Sequence, residues 1–470
     1  MPESKNRISV VKIKNLFCGW AFIGLLAFKL EAQEAVFKEE QLKRDIAYLK
    51  NKLEEKHPTL YLYTPKRQLD FFFDSLSNAI KGPLTELKFY AMLSTISSQI
   101  NDGHTVILPS EGVTAYHNKN SVFLPFYFTI VKGRLYVDMV CADSLPIKEG
   151  DEILEINGRP STEIVAQLLK RQVRDGYNES YSYWILNNYL REFFSYVFGH
   201  DQVFDIKFKS ALGESMTRVH GMQKENIYKV AGAKYADRIA HNNERGGLYL
   251  QFINHDSCAI MHIGDFHNEA LRRDFKQNFK NVVGEFFLEI QKKKPIVLIL
   301  DLRDNQGGDI PNGVFLLSHL ISEPFKVLDA YYKVGSTNKG ERLQKTGGQC
   351  TGTFNPAQSL FKGSLYVLIN GGSFSNSGIV AACLKRYTDA VFIGEETGGG
   401  NQTLAGYTIS CVLPETKIRV DIPTRQFVLT DETPVRGRGT VPDYIVPPDL
   451  HSIINNEDSV MRFTLKLIAK

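Results

Sequence analysis

Apolar residues recur every three or four positions through the first quarter of the chain, the spacing that lays one buried stripe along a helix. Leu42, Ile46, Leu49 and Leu53 form one series, and after Pro83 a second runs through Leu87, Tyr90, Leu93, Ile96 and Ile100. Residues 33–118 therefore read as a helical segment. It ends in "NDGHTVIL", where Gly103 interrupts the helical period and an apolar run takes over.

The pattern shortens over residues 119–212 into strand-like runs, "VFLPFYFTI" and "RLYVDMV", followed by "LPIKEGDEILEINGRPSTEIVAQLL". Gly150-Asp151 and Asn157-Gly158 are turn pairs bracketing the strand "EILEI", and Ser161-Thr162-Glu163 is placed to cap the next helix. This order of strands, turn and short helix is similar to a PDZ domain. A long aromatic helical stretch, "YSYWILNNYLREFFSYVFG", departs from that pattern before the expected last strand, "QVFDIKFKS".

Over residues 225–450 strands and helices alternate: "CAIMHIGDF", a helix across 268–292, "PIVLILDLR", a helix near 311–322, "SLYVLI", a helix over 376–387 and "AVFIG". Alternation of this kind builds a sheet with helices packed against it. A C-terminal helix is expected over residues 451–470. The chain as a whole reads as a multidomain α+β or α/β protein.

The N-terminus differs from everything after it. Lys5, Arg7, Lys12 and Lys14 precede an uncharged apolar run of 13 residues, Leu16–Phe28, followed by "KLEAQ". That is the pattern of a secretory leader over residues 1–32, cleaved after Ala32, and the run is too short to span a bilayer. The expectation is an exported protein with no stable membrane span. Removing five Lys/Arg and two Asp/Glu lowers the formal net charge from +4 to +1, which gives a nucleic-acid partner no electrostatic support. Cys141, Cys258, Cys350, Cys383 and Cys411 remain, too sparse for a disulfide framework and in no metal-binding spacing, so neither a metal nor a cofactor is expected.

Two segments carry candidate chemistry. In "VLILDLRDNQGGDIPNG" a buried strand delivers Asp301, Arg303 and Asn305 to its end, and Gly307-Gly308 lets the backbone bend. Taken alone this reads sooner as a strand-to-helix connection with a structural Asp–Arg pair than as a site. In "INGGSFSNSGIVAACLKRY" a strand runs through a turn holding Ser373, Ser375 and Ser377 into a helix. The amides around Asn376 then point outward at the helix N-terminus, ready to stabilise an oxyanion beside Ser375, although a serine there also suits plain N-capping.

Together, D-L-R-x-N-x-G-G, "GGSFSNSG" before a helix, and "VFIGEETGGG" resemble the C-terminal-processing and tricorn-core serine peptidase family. The resemblance covers most of the chain after its leader, since that family also places a helical segment and a PDZ-like domain before its catalytic core. It implies a crotonase-like core, a nucleophile at Ser375 flanked by Ser373 and Ser377, and an oxyanion hole from Gly307 or Gly308 with Asn376. The processing-peptidase branch activates its serine with a lysine, but "GEETGGGN" has Gly400 at that position. The tricorn-like branch uses a histidine, which matches His104 in "INDGHTVIL", with Gly103 where that branch has serine. For the carboxylate that orients the imidazole, "LTDETPVRGRGTVPDYIV" offers Glu432, with Asp431 in reserve; Arg436 sits nearer the closing motif. His267 is an alternative base or substrate-site residue. The implied activity is an exported serine endopeptidase acting on peptide or protein through Ser375, His104 and Glu432, with a PDZ-like domain that docks peptide by strand addition. A non-catalytic binder of the same fold and a small-molecule esterase or amidase are the rivals.

Overall fold

The computed structural model describes residues 35–334, 343–345, 350–429 and 437–469. The expected leader, Asp431, Glu432 and Arg436 lie outside the described residues.

Helices α1 (Glu39–Lys56), α2 (Lys66–Ala79) and α3 (Glu86–Leu93) carry the N-terminal apolar stripes. They do not close a core by themselves. Leu42, Leu49, Leu53, Leu93 and Ile100 share one core with Leu413, Ile418, Val420 and Ile422, far along the chain. The buried Asp45 carboxylate fixes the junction by accepting the N–H groups of Glu415 and Thr416, both at 2.9 Å. The helical run ends at Asn101, whose left-handed φ of 56° turns the chain into strand β1 (Val106–Leu108). A polar helix, Glu111–Asn120, follows, capped by the Ser110 hydroxyl. Its only buried residue is His117, so no apolar period announces it.

The PDZ-like region comprises β2 (Phe126–Val131), β3 (Arg134–Val140), β4 (Glu152–Ile156), α4 (Ser161–Leu169), α5 (Ser180–Phe198), β5 (Val203–Ser210) and β6 (Gly213–His220). Its sheet runs in the order β6-β5-β4-β3-β2. Asn157 and Gly158 both take positive φ, 52° and 74°, the backbone a tight primed turn requires. Two expectations are corrected. The N-cap of α4 is Pro160, with no side-chain cap, so Ser161 is already helical and caps nothing. "QVFDIKFKS" is also not the last strand, because β6 pairs with it in a hairpin. Helix α5 covers the β2 edge: Asn187 Oδ1 accepts the Ile130 N–H at 2.7 Å, and Arg191 donates to the Phe126 carbonyl at 3.5 Å.

The C-terminal half holds β7 (Leu248–Ile253), β8 (Cys258–Ile263), α6 (Phe279–Lys293), β9 (Val297–Asp301), α7 (Ile310–Ser318), β10 (Leu328–Val334), β11 (Ser364–Ile369), α8 (Asn376–Tyr387), β12 (Val391–Gly394), β13 (Thr403–Val412), β14 (Arg419–Leu429), β15 (Tyr444–Ile445) and α9 (Ser459–Ile468). The main sheet is ordered β7-β8-β9-β11-β12-β15, parallel throughout except for the β7/β8 pair. One face packs Ala259, Leu298 and Val367 against Phe287 of α6, Leu317 of α7 and Val380 of α8. The alternate residues Ile260, Ile299 and Leu368 face Val460 of α9, as the two-residue strand period requires. The expected helix over 268–292 is broken at Lys276, in a left-handed conformation with φ of 60°, and the next helix stops at Ser318. The expected single C-terminal helix is two, Leu450–Ile454 and α9.

Sequence pattern missed a second sheet of β10, β14 and β13, onto which β1 pairs at Arg419–Asp421. That pairing fixes the strand that starts two residues after His104. Cys141, Cys258, Cys350 and Cys383 are buried and Cys411 half-buried, as core-type cysteines should be.

Candidate active site

β11 ends at Ile369, and the serine-rich turn carries the chain into α8. The three serines of the turn have separate surroundings. Ser373 is buried, donating to the Leu302 carbonyl at 2.8 Å and accepting from the Asn370 N–H at 3.1 Å, which makes it part of the turn's own framework. Ser377 is buried inside the first turn of α8, and its hydroxyl has no partner among the described residues. Ser375 occupies the N-cap position with φ 52° and ψ −120°, and its side chain caps nothing. A side chain held in such a conformation costs roughly 1–3 kcal/mol and is retained where the turn must aim it. The turn is closed in by glycine: a Cβ on Gly307 would lie 2.8 Å from Ser375 Cβ, and one on Gly399 would lie 2.9 Å from Ser375 N.

The hydroxyl is aimed at His104, whose Nε2 lies 3.2 Å from Ser375 Oγ. Asp102 shapes the turn that presents this ring. Its Oδ1 accepts the His104 N–H and the Thr105 hydroxyl, both at 2.9 Å, so the imidazole leaves an Asx-type turn. Behind it, the buried His57 has Nε2 at 3.0 Å from Thr105 Oγ1 and 3.7 Å from Asp102 Oδ1. The Phe374 ring packs on His104 at a centroid distance of 4.7 Å and is itself stacked by Tyr181 at 4.0 Å.

Burial pushes His104 below its ordinary value; the Asp102 charge opposes this and His57 reinforces it. A neutral ring whose Nε2 accepts the serine proton carries its own proton on Nδ1. His104 Nδ1 is buried with no partner among the described residues. Burial would raise the Asp102 carboxyl, but the contact with His57 outweighs it and holds Asp102 below its ordinary value.

The strand-end residues divide between framework and site. Arg303 makes paired bonds to Asp301, at 2.8 and 2.7 Å, and to Asp458 at the start of α9, both at 2.7 Å. Asp301 and Arg303 are thus the structural pair that was one reading of the motif. Asn305 is fully buried; its amide donates to the Ile263 carbonyl at 2.7 Å, and its Oδ1 accepts the Gly307 N–H at 2.8 Å. Of the two glycines, then, Gly307 has its donor engaged, whereas the N–H groups of Gly308 and Asn376 have no acceptor among the described residues. His267 lies beside Gly308 rather than at the serine: a Cβ on that glycine would be 2.9 Å from His267 Cγ. Its Nδ1 is 2.8 Å from Asp265 Oδ1, and although burial lowers its pKa the Asp265 contact prevails and raises it.

The two departures from the family pattern have local causes. A Cβ on Gly103 would lie 2.6 Å from the Phe374 ring and 2.8 Å from Asp175 Oδ1, which leaves no room for a serine. At Gly400, where the other branch has lysine, a Cβ would point at the Thr403 carbonyl, 3.0 Å away, with Asp175 at 3.7 Å. Asp102, His57 and Asp175 were not anticipated. Only Asp102 had a local signal, an aspartate two residues before the turn's histidine.

A parallel sheet whose strand ends carry a strained serine at a helix N-terminus, preceded by a PDZ-like sheet, defines a multidomain chain with a hydrolase-type core. Residues 257–446 match the family model described as Peptidase family S41, and residues 120–221 match that of a PDZ domain, so the chain carries an S41 peptidase domain behind a PDZ domain. The tail-specific protease of Haemophilus influenzae is 26% identical over 165 residues, 35% of this chain and 20% of that protein. Carboxyl-terminal-processing peptidase 2, chloroplastic, of Arabidopsis thaliana is 27% identical over 175 residues, 37% of this chain and 30% of that protein. These matches span less than a third of either relative. The structure of mature CPAF complexed with lactacystin superposes with a TM-score of 0.66 at 14% identity, covering 91% of this chain and 97% of that one, and shows a shared fold. His104 lies outside both matched segments. No helix among the described residues is long and apolar enough to cross a membrane.

Proposed function

We propose that this chain is an exported serine endopeptidase in which Ser375 is the nucleophile and His104 its general base. The observation that carries this reading is the 3.2 Å contact between His104 Nε2 and the hydroxyl of a serine in strained backbone at a helix start. In the first step His104 takes the proton as Ser375 Oγ attacks the scissile carbonyl, and the Gly308 and Asn376 N–H groups receive the developing oxyanion. His104 then returns the proton to the leaving amine, and water repeats the cycle on the acyl-enzyme. Glu432 is proposed as the carboxylate at His104 Nδ1, with Asp431 in reserve; the unpartnered Nδ1 supports a role for one of them. His267, beside Gly308, is proposed to meet substrate rather than to act as base. Peptide docking on the PDZ domain by strand addition at β2 would have to displace Asn187 and Arg191 of α5.

A fluorophosphonate probe tests the reading directly. Labelling of the folded chain that disappears in Ser375→Ala, with turnover of a peptide substrate, supports a serine peptidase. A folded chain that neither labels nor turns over is a binder. Ester turnover without peptide turnover identifies an esterase.

A further inference from the structure

Between α4 and α5, within the segment that matches a PDZ domain, lies the tetrad Asp175-Gly176-Tyr177-Asn178. Its residues reach three separate pieces of the chain around the site: the His104 turn, the glycine loop behind Ser375, and Gly437. Asp175 is 3% exposed; one carboxylate oxygen accepts the Gly103 N–H at 2.8 Å, and the other accepts the Gly400 N–H at 3.0 Å. Gly176 N–H donates to the Asn101 carbonyl at 2.9 Å, at the left-handed end of the helix that leads to His104. Tyr177 N–H donates to the Gly437 carbonyl at 2.9 Å, one residue beyond the stretch that carries Asp431 and Glu432. The Asn178 amide donates to the Thr397 carbonyl at the start of the glycine loop behind Ser375.

Among the described residues no cation pairs with the buried carboxyl of Asp175. Two backbone N–H groups are its hydrogen-bond partners, one beside the base and one on the loop that backs the nucleophile. Burial and the Asp102 charge push its carboxyl upward, opposed by those two N–H bonds. A carboxylate kept at such a place, in a chain of this size with many exposed alternatives, points to a positional task.

We propose that Asp175 is a positioning residue for the catalytic pair, tying the His104 turn to the glycine loop behind Ser375 through the Gly103 and Gly400 amides. The inference rests on the peptidase reading above. Asp175 touches neither Ser375 Oγ nor the imidazole; it sets the relative placement of the two segments that carry them. A displacement of about 1 Å between reacting groups costs on the order of 10²-fold in rate while binding of the substrate elsewhere is retained. This connection also makes the PDZ-side segment part of the site's framework, whether or not that domain takes peptide.

Asp175→Asn keeps the shape but turns one N–H-accepting oxygen into a donor, and Asp175→Ala removes both acceptors. The expected result is a fluorophosphonate labelling rate and a peptide kcat that fall about 10²-fold in Asp175→Ala and less in Asp175→Asn, with KM within about two-fold of the wild type. In protein labelled with ¹⁵N-glycine, the Gly103 and Gly400 amide protons should move upfield in both variants, a readout independent of activity. Wild-type rates in both variants, or losses that appear only in KM, overturn the role of Asp175 and leave the peptidase reading standing. A wild-type chain that neither labels nor turns over sinks the peptidase reading, even with both amide signals shifted.

Discussion

His104 Nε2 stands 3.2 Å from Ser375 Oγ across 271 residues of chain. That distance suits proton transfer as it stands. Because the two groups act as one unit, Ser375→Ala and His104→Ala are each expected to remove nearly all hydrolysis, and the double variant to be no slower than the worse single one. Comparing kcat/KM of the three with the uncatalysed rate checks this. Losses that multiply in the double variant would mean that the two residues act independently.

The proton on the far side of the ring leads to a pH test. Burial favours neutral His104, so its folded pKa lies below the ordinary histidine value. In between, the unfolded chain binds more protons than the folded one; this site's contribution to stability therefore falls as pH drops through about 6.5. A carboxylate on Nδ1 opposes that shift. Glu432→Gln is thus expected to lower kcat steeply and to move the acid limb of kcat/KM to lower pH, while Asp431→Asn leaves the limb in place. If only Asp431→Asn moves it, the assignment exchanges; if neither does, no carboxylate from this stretch serves the ring.

How much of this was legible in the sequence depended on how local each signal was. The turn around Ser375 and helix α8 could be read because strand, glycines and apolar period are contiguous, and α8 runs over residues 376–387 as expected. His104 was found through a family resemblance rather than through its surroundings. The β13/β14 pair was not seen, since β13 is buried over its first four residues and mostly exposed afterwards, and β14 carries Pro423 and Arg425. Alternation of polar and apolar residues is confined to Tyr407–Cys411 and Arg419–Ile422, stretches that do not run the length of either strand. His57 and Asp175 are polar residues buried only once distant segments close over them, and no window of sequence holds that information.

Gly103 ties the base turn to the aromatic packing around it. Its missing side chain leaves space for the Phe374 ring and for Asp175, each less than 3 Å from where a Cβ would lie. Gly103→Ser is therefore expected to destabilise the fold by about 1–3 kcal/mol through overpacking and to reduce kcat by tilting the ring of His104. Denaturant midpoints and kcat measured on the same preparations test the claim. A Gly103→Ser variant as stable and as active as the wild type would show that this turn accommodates the serine of the tricorn-like branch.

Asp301 and Arg303 begin the D-L-R-x-N-x-G-G motif, yet their contacts are structural. Asp301 is held well below the ordinary carboxylate range: burial opposes ionisation, but Arg303 and Arg245 outweigh it. Arg303 in turn grips Asp458, whose side chain is 37% exposed. Removing the arginine leaves a buried carboxylate without its main partner, a loss of about 3–5 kcal/mol. Removing Asp458 leaves a pair that is still satisfied but takes away the side-chain cap of α9, a loss of about 1–2 kcal/mol. Arg303→Ala is accordingly expected to melt far below the wild type and Asp458→Ala less far below it. Below its melting transition, Arg303→Ala should label Ser375 at a rate near the wild type's. A stable Arg303→Ala chain that fails to label would move this arginine from the framework into the chemistry.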